Sequence, residues 1–213
     1  MIEVVPAILT DNIEDFKTFL DDYKIFDKVD IDFIRKPYLE NETVYLSNVL
    51  KTLESFDNNF GFHLMVLDPE FEVHMLLNSE FQSKPARIYA QQEANLKTYL
   101  NLKFPDNWEK NISVEADSEL LSLDFYLQFD EVQFMTVKIG SQGNPFQEEV
   151  LKKVDRLREM GYNGKVSIDG GVNLKTSGLI RKHKLDRVSV GSYFVKTVDD
   201  EKALKLLSDA LNN

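Results

Sequence analysis

Strand-like apolar runs recur along this chain with room for one helix between each pair, and that rhythm restricts the fold more than any other feature. The runs are EVVPAIL (3–9), KVDIDF (28–33), FGFHLMV (60–66), ARIYAQ (86–91), NISVEAD (111–117), EVQFMTV (131–137), KVSIDG (165–170) and RVSVGS (187–192). Amphipathic segments separate them, among them NIEDFKTFLDDY, TVYLSNVLKTLESF, DPEFEVHMLLNS and QEEVLKKVDRLREMG, the last stopped by Gly161 after basic residues. EANLKTYLNLKF and SELLSLDFYL have a more ragged period, and TVDDEKALKLLSDALNN reads as a terminal helix capped by Asp199 and Asp200 over a leucine stripe. Eight strands alternating with helices predict one α/β domain over residues 1–213, folded as a parallel (β/α)8 barrel. An open doubly wound sheet is the alternative.

Composition narrows the partners. A net charge of −11 and a pI near 4.8 argue against nucleic acid and against a basic membrane-binding surface. With no cysteine, disulfides, thiolate metal sites and cysteine nucleophiles are excluded. No apolar run approaches membrane-spanning length, and MIEVVPAIL has no basic region before it, so a cytoplasmic protein is expected. A homo-oligomer is left open.

Strand parity then sorts the interior. In FGFHLMV, Phe60, Phe62, Leu64 and Val66 form the face that meets the helices, which turns Gly61, His63 and Met65 inward. The same rule sends Asp30, Asp32, Arg87, Gln91, Glu115, Asp117 and Asp169 into the barrel. Like charges on one strand face are costly to bury, so acids and a histidine where Val, Ile and Leu would ordinarily sit mark a site. Asp32, His63 and Asp169 fall near the C-terminal ends of their strands, the rim where barrel active sites lie. Glu115 and Asp117 are placed to pair with Arg87 across the barrel or to shape a pocket.

VVPAIL, VDIDF, FHLMV before DPE, MTVKIGSQGNPF, SIDGGVN and VGSYF occur in the order and spacing of the ribulose-phosphate 3-epimerase family, which this chain resembles along essentially its whole length. The resemblance implies a TIM (β/α)8 barrel of the ribulose-phosphate-binding type and a place in carbohydrate metabolism, in the pentose phosphate pathway. It implies an isomerase that interconverts ribulose 5-phosphate and xylulose 5-phosphate by proton transfer at C3. It also implies a divalent metal ion (Mn, Mg, Fe or Zn) held by Asp30, Asp32, His63 and Asp169, with Asp32 and Asp169 as the catalytic acid and base. Asp30 stands where the family has histidine.

Phosphate is expected on the turns after the last two strands, at Gly170, Gly171, Gly191 and Ser192, under a lid carrying Gly140, Ser141, Gln142 and Gly143. Ala7, Met65, Gln91 and Met135 complete the expected pocket; Ala7 replaces a usual serine and Gln91 a usual histidine. The loop IRKPYLEN after the second strand keeps only Asn41 of the family pattern. Two other functions stay open: a phosphosugar-binding barrel with a different reaction, such as an isomerase or lyase, and a barrel that binds a ligand or partner without catalysis.

Overall fold

The computed structural model describes residues 1–140, 143–197 and 199–213. Ser141 and Gln142 of the expected lid therefore lie outside the described residues. The elements are β1 (Glu3–Ile8), α1 (Ile13–Asp22), β2 (Lys28–Ile34), α2 (Leu46–Glu54), β3 (Asn59–Met65), α3 (Glu70–Leu77), β4 (Ala86–Gln91) and α4 (Leu96–Asn101). They continue as β5 (Trp108–Val114), α5 (Leu123–Tyr126), β6 (Glu131–Met135), α6 (Leu151–Glu159), β7 (Lys165–Asp169), α7 (Ser177–Ile180), β8 (Arg187–Val190) and α8 (Asp200–Asn212). The eight strands close into one barrel in sequence order, every neighbour parallel, with β8 returning to β1.

Local chemistry explains the helix ends. Asn12 caps α1 by accepting from the amides of Glu14 and Asp15, and Asp199 caps α8 by accepting from Lys202 N. Gly161, at φ +99°, takes the left-handed turn that ends the α6 segment. The ragged segments give short helices, six residues in α4 and four in α5.

One strand differs from its expected position. β5 begins at Trp108, not Asn111, and ends at Val114, so Glu115 and Asp117 lie beyond it. The cause is tertiary: Trp108 pairs with Ala86, and its indole N–H donates to the carbonyls of Phe81 and Lys84. Polar Glu109 and Lys110 hide this start in the sequence.

Parity holds around the ring. Phe60, Phe62 and Leu64 are buried against the helices, and the Phe62 and Phe81 rings meet edge to face at 5.2 Å. Asp30 is level with Gly61, Asp32 with His63, and Met135 with Asp169. The interior is strongly polar, with Arg87, Gln91, Asn111, Ser113, Glu131 and Ser167 all buried. The chain ends meet where Ile2 N donates to Asn212 Oδ1 at 2.6 Å and Asn212 Nδ2 donates to Ile2 O at 3.1 Å.

Candidate active site

Asp32, His63 and Asp169 converge at the C-terminal ends of β2, β3 and β7, their nearest ligand atoms all within 4.8 Å of one another. His63 Nδ1 lies 3.0 Å from Asp32 Oδ1 and 3.4 Å from Asp169 Oδ2. The carboxylates retain 8% and 7% exposure and the imidazole 1%, so the acids face the mouth and the ring lies beneath them. On its other side, His63 Nε2 is 2.7 Å from the side-chain amide of Gln91, and the Tyr89 ring packs edge-on at 6.4 Å.

These contacts set the charges. Burial pushes the His63 imidazole down, but the hydrogen bonds to Asp169 and Asp32 outweigh it and hold its pKa at about 10. Burial raises Asp169 to about 6, against the opposing hydrogen bond from His63 and with help from the Asp32 charge. Two carboxylates converging on one imidazole form a donor set suited to a divalent cation. The residues fit the group.

Asp30 does not join them, which corrects the four-ligand expectation. Its Oδ1 accepts from Arg87 Nη1 at 2.8 Å, and both side chains are buried. Aspartate is short, and one level below Asp32 it reaches Arg87 before it reaches the mouth. Gly61 lies between them, and a Cβ there would overlap Asp30 Oδ1 and crowd Arg87 Nη1. The expected pairing of Glu115 or Asp117 with Arg87 is corrected for the same reason, since Arg87 is held by Asp30, Asn59 and the Val29 carbonyl. Glu115 instead accepts from the Tyr38 hydroxyl.

The remaining site residues gather around one cleft. Asp32, Asp169, Ala7, Met65 and Met135 line its floor; Gly140 and Gly143 border it on one side, Gly170, Gly171, Gly191 and Ser192 on another. Gln91 is not on the cleft surface but buried below it, against His63. Gly170 and Gly171 have φ of +103° and +67°. A Cβ on the first would overlap Val137, and one on the second would press on Phe146, so the turn after β7 can be made only by glycines. Asn173 Nδ2 and Thr176 Oγ1 both donate to Gly171 O, at 2.9 and 3.0 Å.

Three supports carry no motif of their own. Thr43 Oγ1 donates to Asp32 O at 2.8 Å and Thr136 Oγ1 to Asp169 O at 3.0 Å, fixing the backbone behind both acids. Arg35 caps the carbonyls of Ile34, Thr43 and Val44 and lies 3.9 Å from the Tyr45 ring centroid. The loop after β2 also reaches over the mouth, through Tyr38 to Glu115 and Asn41 to Gly140 O. Of Thr43, Arg35, Tyr38 and Asn41, only Asn41 carried a sequence signal; Glu115, Gly140 and the motif around Thr136 stand out in the sequence for other roles.

In a closed parallel barrel the C-terminal rim is where active sites lie, and the glycine turns after β7 and β8 stand where such barrels frequently hold phosphate. Comparison with known proteins makes this specific: the chain belongs to the Ribulose-phosphate 3 epimerase family, whose model matches residues 3–195. It is similar to the ribulose-phosphate 3-epimerase of Encephalitozoon cuniculi, 30% identical over 85% of this chain and 81% of that one. It is also similar to the ribulose-phosphate 3-epimerase of Helicobacter pylori, 25% identical over 98% of this chain and 97% of the other. Among solved structures, KGPDC from Streptococcus mutans in complex with a pentose phosphate superposes with a TM-score of 0.67 at 18% identity, covering 99% of this chain and 97% of that one. The 3-keto-L-gulonate-6-phosphate decarboxylase of Vibrio cholerae superposes at 0.65 and 12%, covering 99% and 97%. At these identities the likeness concerns the fold. No helix among the described residues is long and apolar enough to cross a membrane.

Proposed function

We propose that this protein is a cation-dependent epimerase of a ketose phosphate of the ribulose 5-phosphate and xylulose 5-phosphate type. The observation that carries the proposal is the convergence of Asp32, His63 and Asp169 beneath a cleft walled by the glycine turns after β7 and β8. Inverting a carbon beside a carbonyl requires a proton to leave one face and another to arrive on the opposite face. Two carboxylates from separate strands supply that pair. β2 and β7 stand three strands apart around the ring, with β1 and β8 between them. Asp169, raised to about 6, is tuned toward neutral pH, where a carboxyl can both hold and release a proton.

Asp32, His63 and Asp169 would hold the divalent ion, which when bound stabilises the negative charge that develops on the substrate oxygens as the C3 proton leaves. Two carboxylates and one imidazole make an oxygen-rich set that suits Mn, Mg or Fe, and Zn also accepts three such ligands. Gly170, Gly171, Gly191 and Ser192 would bring backbone N–H groups to the phosphate, and the Met65 and Met135 side chains would pack against the sugar. The family relationship and the pentose phosphate carried by the structural neighbour support a phosphosugar ligand.

The test is conversion of D-ribulose 5-phosphate to xylulose 5-phosphate by purified protein supplied in turn with Mn, Mg, Fe or Zn and then chelated. Turnover with at least one ion and its loss on chelation are expected. The Asp30–Arg87 pair favours one second reading, a phosphosugar barrel with altered chemistry or none. That reading takes over if cation and phosphate bind while no epimer forms.

A further inference from the structure

Gln91 has no role in the chemistry proposed above, yet it makes the shortest hydrogen-bond contact to His63 on the face away from the carboxylates. Gln91 is completely buried at the end of β4, and its side-chain amide sits 2.7 Å from His63 Nε2. With its amide nitrogen turned to the ring, the buried Oε1 has no hydrogen-bond partner among the described residues. A rotation of 180° about the last side-chain bond exchanges the two atoms without moving anything else. It gives the oxygen a donor, His63 Nε2–H, and removes a contact between two nitrogens that each carry a proton when the ring is protonated there. The contacts of Nδ1 with Asp32 and Asp169, at 3.0 and 3.4 Å, hold the ring so that Nε2 stays on Gln91.

We infer that Gln91 is a positioning residue that fixes the tautomer of His63. Its amide oxygen accepts Nε2–H, and this leaves Nδ1, the atom facing Asp32 and Asp169, as the nitrogen that can give its lone pair to a cation. The inference rests on the cation reading above. An imidazole that binds through one nitrogen needs its other N–H held, and partners that do so typically contribute about 10- to 100-fold in metal affinity. Only an acceptor serves: an apolar side chain of the same length fills the space and leaves Nε2–H buried with no partner.

Two measurements decide it. In the 15N spectrum of the wild type titrated with ZnCl2, His63 Nε2 should remain protonated while Nδ1 shifts on binding. Calorimetric titration with MnCl2 and ZnCl2 should show Gln91→Met weakened by about 10- to 100-fold. Gln91→Glu, which keeps an acceptor in place, should bind at least as tightly as wild type. A structural role alone would not separate Met from Glu in this direction. Wild-type protein whose Nε2 is the bare nitrogen overturns the inference whatever the variants do, as does Gln91→Met binding within about twofold of a wild type that takes up the ion. A wild type that takes up neither ion overturns the inference together with the cation reading.

Discussion

Asp30 is buried against Arg87 and apart from the Asp32–His63–Asp169 cluster, so its value lies in Arg87. Removing one partner of a buried ion pair leaves the other uncompensated, at a cost of about 3–5 kcal/mol. Asp30→Ala should therefore lower the urea midpoint steeply while changing cation affinity by less than about threefold; a large loss of affinity with little loss of stability would return Asp30 to the ligand set. Gly61→Ala should be similarly destabilising, because its Cβ would displace the same carboxylate. His63 gives a second test. Its folded pKa of about 10 lies above the ordinary 6.5, so the folded chain holds that proton more tightly than the unfolded one. That contribution is complete below about pH 6.5 and is lost as pH rises through about 10. Chelated protein should lose melting temperature from pH 7 to 10, and protein loaded with a cation, which replaces the proton, should lose less. Alternation placed both aspartates inward from sequence alone. What it left hidden was which level each serves: that depends on side-chain reach and on Arg87, which lies 57 positions further along the chain.

Elements position these residues through contacts that repeat nowhere in the sequence. The strand–helix rhythm showed where seven of the eight strands run, because an alternating or continuous apolar strand carries its own signal. β5 reads three residues late because its first residues are paired by a tryptophan anchored on the segment that precedes β4. Loops were less legible still, since Tyr38–Glu115 and Asn41–Gly140 join segments far apart in sequence. These contacts close the loop after β2 over the cleft, and they should be felt in binding. Tyr38→Phe and Asn41→Ala should each raise KM for the ketose phosphate by about 2- to 10-fold with a smaller change in kcat, the equivalent of one ordinary hydrogen bond. A fall in kcat with KM unchanged would place them in the chemistry instead.

At the scale of the molecule, Asp30–Arg87, Glu131–Arg187 and a row of buried amides and hydroxyls fill the barrel below its rim, and the rim itself brings Asp32, His63 and Asp169 together from distant parts of the chain. The centre built there gathers Asp32, His63 and Asp169 without Asp30, and the proposed function requires those three to suffice. The most direct measurement is deuterium exchange at C3 of D-ribulose 5-phosphate in D2O, catalysed by Mn-loaded protein beside its Asp32→Asn variant. From the proposed function, solvent deuterium is expected at C3 in both the recovered substrate and the xylulose 5-phosphate formed, with the variant folded and silent. Wild-type protein that binds Mn and phosphate yet leaves the C3 proton in place, or an Asp32→Asn variant that exchanges as fast as wild type, would contradict it.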